Sequence, residues 1–100
     1  MRVIKRKTLE QFWKIHADAE QPLKSWFSEV KKAKWKNANE MKLDYPSASV
    51  LTGRRAVFNI KGNSYRLVVD IEYKISIIFI IWLGTHDEYD KINVKTISYV

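Results

Sequence analysis

One hundred residues, 46% of them hydrophobic and 13% aromatic, allow one small buried core and argue against a disordered chain. The absence of cysteine excludes disulfides and thiolate metal sites and suits the cytoplasm, and no run of about 18 apolar residues exists that could cross a membrane. The net charge of +7 is uneven: residues 1–36 hold ten of the eighteen Lys/Arg and four of the eleven Asp/Glu, and so carry +6. That asymmetry suits a phosphate backbone or an acidic partner, though a solvated lysine face would look the same.

In chain order, Met1–Lys5 is a candidate first strand, and MRVIKRKTLEQFW lacks the apolar stretch of a secretory leader. Leu9, Phe12, Trp13 and His16 fall at i, i+3, i+4, i+7, predicting a helix capped by Thr8. DAEQPLKSWFSEVKKAK predicts a second helix from Asp18, with Gln21 closing a capping box and Pro22 in the first turn. Its apolar face is Leu23, Trp26, Phe27, Val30 and Ala33, and Lys31, Lys32, Lys34 and Lys36 crowd its end, where a helix best tolerates positive charge. A short helix is expected before Tyr45 and Pro46. The period then becomes two: RRAVFNI, a KGNS turn, YRLVVDIEY and SIIFIIWLG read as three successive strands. In the middle strand Tyr65, Leu67, Val69, Ile71 and Tyr73 should face the helices and leave Arg66 on the open face. The last strand, apolar on both sides, should be central or covered twice. Thr85 and Glu88 form a capping-box pair for a short helix, and NVKTISYV is either a frayed tail or an edge strand. The expected architecture is α+β: one domain over residues 1–100, two N-terminal helices on a small curved antiparallel sheet, and a short C-terminal helix.

His86 is the first chemical candidate. It stands at a strand-to-helix corner, where an imidazole can reach over the sheet and move a proton, although a histidine there can equally cap or pack. Tyr89, three residues on, lies on the same helical face and can contact a phosphate, stack on a base, or simply anchor the helix. Asp90 can orient His86 or pair with a lysine. Arg66 offers a planar fork suited to phosphate unless Asp70 or Glu72 claims it. Lys61, in the KGN turn, is a further cation near that strand, or a solubilising turn residue. Arg54 and Arg55 point to opposite faces, so only one, here Arg55, can join Lys31, Lys32, Lys34 and Lys36 in contacting RNA. Two distant histidines without cysteines disfavour a zinc site, and sequential surface acids rarely hold magnesium alone. No phosphate-loop motif occurs among the three glycines, so no metal or cofactor is expected.

DAEQPLKSWFSEVKKAKWKN, YPSAS, VFNIKGNSYRLVV and GTHDEYDKI together resemble the HigB family of toxins from type II toxin–antitoxin pairs, within the wider RelE-like fold. The likeness runs from about Val3 to Ile92. It implies a ribosome-dependent mRNA endonuclease that cuts without a metal and so inhibits translation. It also implies a helix-turn-helix, HigA-like antitoxin, with operator DNA bound only through the toxin–antitoxin complex. Carried over by position, the strand arginine is Arg66 and the corner histidine is His86, with Tyr89 and Asp90 beside it and Lys61 fitting less securely. Two other readings share the fold and charge: a non-catalytic RNA- or ribosome-binding regulator, and a toxin aimed at gyrase.

Overall fold

The computed structural model describes residues 1–98. Its elements run β1 (Arg2–Ile4), α1 (Arg6–Ile15), a 3-10 turn (Ala17–Ala19), α2 (Glu20–Lys32), α3 (Ala38–Asp44), β2 (Ser49–Val50), β3 (Arg55–Ile60), β4 (Tyr65–Glu72), a second 3-10 turn (Tyr73–Ile75), β5 (Ile77–Thr85) and α4 (His86–Tyr89). The five strands form one sheet in the order β1-β5-β4-β3-β2. The α+β class is as expected, but the sheet is mixed and not purely antiparallel, because β1 runs parallel to β5. β5 is apolar as far as Gly84, and β1 gives it a hydrogen-bonded neighbour on the side β4 does not cover.

One face of the sheet carries the core. Leu67, Val69 and Ile71 of β4 and Ile78 and Ile80 of β5 are buried against Leu9 of α1 and Leu23, Trp26 and Val30 of α2. Phe58 of β3 sits at the centre, edge-on to Trp26 (5.4 Å) and Tyr45 (5.1 Å). Trp35 closes the same core beneath the lysines, its indole N–H donating to Asp44 at 2.8 Å.

The helix starts differ from expectation. α1 begins before Thr8, after a left-handed Lys5 that makes no side-chain cap. Asp18 does not cap α2. Its carboxylate instead accepts from Lys61 (2.5 Å) and from the Tyr65 hydroxyl, so the loop between the helices is tied to the β3–β4 turn.

β5 contains the feature that matters most for the site. Val68 pairs with Trp82, but Val69 pairs with Ile80, so Ile81 is an extra residue and a bulge. Beyond it the alternation is reset. Leu83 packs on the core, while Trp82 and Gly84 share the open face with Phe79. Residues 94–96 form a turn and residues 93–98 hold no strand; residues 99–100, the end of the NVKTISYV segment, lie outside the described residues.

Candidate active site

β4 presents Arg66 on the open face, opposite Gly84 of β5 and Asn59 of β3. Both carboxylates that could have claimed it are taken: Asp70 pairs with Arg55 at 2.7 Å, and Glu72 pairs with Arg54. Among the described residues Arg66 has no ion pair. Its Nη1 donates to the backbone oxygens of Asn63 (3.1 Å) and Tyr65 (3.4 Å), and its guanidinium lies 5.9 Å from the Tyr89 ring centroid. An unpaired, half-buried guanidinium resting on an aromatic is positioned for an anion.

α4 supplies the other groups. The sequence turns from strand to helix because Thr85 accepts from the Glu88 N–H (3.2 Å) while the Glu88 carboxylate accepts from the Thr85 N–H (2.8 Å), the expected capping box. That backbone bond holds the Glu88 carboxyl below its usual range. The His86 N–H donates to the Ser64 oxygen at 3.1 Å, fastening the start of α4 to the turn that precedes Arg66. His86 is exposed, and its ring lies with the Asp87 and Asp90 carboxylates in a cluster whose candidate ligand atoms are all within 4.8 Å of one another. Asp90 is thus near enough to bias the imidazole. The three groups could also hold a cation, but all are exposed surface groups.

Trp82 was not anticipated as a site residue. Strict alternation along SIIFIIWLG would bury it beside Ile78 and Ile80, and only the bulge brings it out beside Tyr89, at 6.3 Å between rings. Gly84 makes room for it. A Cβ there would come within 2.4 Å of Trp82 Cη2 and 2.6 Å of Cζ2. The glycine two residues after a tryptophan was the available signal. Arg66, Tyr89 and Trp82 therefore form one contiguous patch, and His86 opens the same short helix that carries Tyr89.

Two expected site residues are engaged elsewhere. Arg55 is only 13% exposed, bound in two-pronged fashion to Asp70 and donating to the Val94 (3.0 Å) and Ile97 (2.6 Å) oxygens. It anchors the segment after α4 to the open face, which argues against RNA contact. Lys61 has a left-handed backbone (φ 52°) and reaches to Asp18, toward Tyr65 and the His16 ring on the helix side, away from Arg66. His16 stacks on Phe12 at 4.4 Å and lies 5.4 Å from the Tyr65 ring, so it packs on the helix side of the sheet. Lys31, Lys32, Lys34 and Lys36 lie at and beyond the end of α2, remote from His86.

The model of the HigB toxin family, the RelE-like toxic component of a toxin-antitoxin system, matches residues 19–92. The chain belongs to that family. The match begins after α1, a narrower span than the sequence likeness suggested, but it contains Arg66, Trp82, His86, Tyr89 and Asp90. As a HigB-family protein it is the toxin of a toxin–antitoxin pair, and it has an antitoxin as partner. Among curated proteins, none matches the chain. No helix among the described residues of this toxin is long and apolar enough to cross a membrane.

Proposed function

We propose that this toxin is a ribosome-dependent mRNA endonuclease, acting in the cytoplasm by general acid–base chemistry that needs no metal. The observation that carries the reading is a guanidinium without an ion pair among the described residues, Arg66 on Tyr89, together with an exposed imidazole on the same short helix as that tyrosine. In the proposed reaction His86 takes the proton of a ribose 2′-OH, and Asp90 steadies the imidazolium that forms. The 2′-oxygen bonds to the adjacent phosphorus while the bond from phosphorus to the 5′-oxygen breaks. The 5′-oxygen leaves with a proton taken from solvent, giving a 2′,3′-cyclic phosphate and a 5′-hydroxyl end, and the imidazolium then returns the first proton to solvent. Arg66 stabilises the charge that grows on the phosphoryl oxygens, a contribution of about 3 kcal/mol for one good donor. Tyr89 and Trp82 offer aromatic faces on which a base can stack. Lys61 is left out of these steps, since it would first have to release Asp18.

Translating ribosomes incubated with purified toxin should yield message fragments with new 5′-hydroxyl ends. His86→Ala should slow their appearance by at least about 100-fold, the lower bound for losing a positioned proton-transfer group. A correctly folded His86→Ala protein that cuts at the parent rate would remove the imidazole from the chemistry. Intact RNA recovered from a tight, salt-sensitive complex would replace cleavage by simple binding.

A further inference from the structure

At the end of the sheet far from Arg66, a groove of about 750 Å³ opens between the end of α2 and the 3-10 turn after β4. Lys31, Lys32, Lys34 and Lys36 line it from one side and Lys74 from the other, and no carboxylate lines it. All five lysines are exposed, and none has an ion pair among the described residues. The two sides are joined through β1. The Met1 amine donates to the oxygens of Val30 (3.1 Å), Lys31 (2.9 Å) and Ala33 (2.9 Å), while the Arg2 N–H donates to the Ser76 oxygen (2.8 Å). Burial, then the charge of Lys34, lower that amine below its ordinary value, consistent with crowded positive charge.

Like charges from separate elements are gathered here with no carboxylate in the lining, although Glu29, Asp44 and Glu72 stand in the neighbouring clefts that Lys32, Lys36 and Lys74 also border. Their mutual repulsion is relieved by an anionic ligand. The exposed residues of its lining are the five lysines and Ser76, and none of the exposed large apolar side chains (Ile15, Leu43, Val50, Ile75) lines it. Trp35 and Tyr73, the aromatic residues of the lining, are buried and half-buried, so a protein partner finds no large exposed apolar anchor to engage. Arg66 and Glu72 are six residues apart on β4, about 20 Å at the usual strand rise, and Lys74 lies beyond Glu72. One nucleotide cannot touch both places.

We infer that this groove is a second RNA-binding site, taking phosphodiester backbone without reading bases, on a stretch of RNA other than the nucleotides being cut. It rests on the proposal that the toxin acts on RNA, and it adds where the enzyme is held. The backbone can come from ribosomal RNA or from the message itself.

The test is the combined Lys31→Gln, Lys34→Gln, Lys74→Gln variant, whose exposed positions spare the core. Purified ribosomes and a labelled single-stranded RNA oligonucleotide serve as separate probes. Ribosome affinity is expected to fall by about tenfold or more at low salt, and the slope of log affinity against log salt to flatten by about 2, at roughly 0.7–0.9 per lost phosphate contact. In cleavage assays the loss should appear in KM and not in kcat. A loss in the oligonucleotide arm alone would keep the site but assign it to the message. Unchanged affinity and slope in both arms would overturn it, as would lost neutralisation by the antitoxin with RNA binding intact. If the parent protein binds with the steeper slope yet cuts nothing, the groove stands and the nuclease reading falls.

Discussion

At Gly84 the backbone is ordinary, and what a side chain would lack is room. The Trp82 indole occupies the space a Cβ would need, and Glu88 Oε1 stands 3.0 Å from the same point. Gly84→Ala should therefore push the indole off the strand and strain the turn into α4 together. If Trp82 and Tyr89 receive a base, the substitution should cost on the order of 1–3 kcal/mol in RNA affinity, the usual worth of a base–aromatic stack. Trp82→Phe, which keeps a ring and relieves the crowding, should retain most of the affinity. KM for cleavage, with binding of a non-cleavable 2′-deoxy oligonucleotide, measures both. A Gly84→Ala protein with unaltered KM would show that the aromatic patch is packing alone.

Among the elements, the parts governed by near neighbours were readable in advance and the parts governed by distant ones were not. Thr85 and Glu88 are three residues apart, and their reciprocal bonds follow from sequence. Leu23, Trp26 and Val30 bury one face of α2 as their spacing requires. Arg66 stands on the open face because β4 alternates regularly. Asp18 looked like a cap for α2, but its bonds go to Lys61 and Tyr65, 43 and 47 residues away, and no local pattern reports a partner at that distance. The fate of Arg55 is hidden for the same reason, since its carbonyl partners lie in the segment beyond α4. The Asp18 knot carries its own prediction. Bonds first from Lys61 and then from Tyr65 hold the Asp18 carboxyl below its ordinary value of 3.8. The folded chain thus binds this proton less readily than the unfolded one. The contribution is full above pH 3.8 and is lost as pH falls through the lower folded value. Asp18→Asn should lower Tm at neutral pH, and the gap from the parent should close in acid below that range. A gap that persists there would mean the loss comes from packing and not from charge.

For the molecule as a whole, the sheet separates duties: one face is spent on the core, and the other carries the proposed chemistry. No charged or polar residue is buried among the described residues, so cohesion rests on apolar contact. Phe58, 1% exposed and flanked by two aromatic rings, is where that cohesion is most concentrated. Phe58→Ala should cost about 3–5 kcal/mol, against a total near 5–15 kcal/mol for a domain of this kind. Chemical denaturation should show the loss directly, and a cost below about 1 kcal/mol would mean the cavity collapses without penalty.

The extra residue at Ile81 has a consequence for inheritance. Deleting that single isoleucine would let Trp82 follow Ile80 directly, so plain alternation would still hold Trp82 on the open face and Leu83 on the core. Such an allele would lose the kink of the bulge and keep the proposed reagents on the open face. Among survivors of toxin expression, in-frame loss of the Ile81 codon should therefore be rare beside changes at His86 and Arg66.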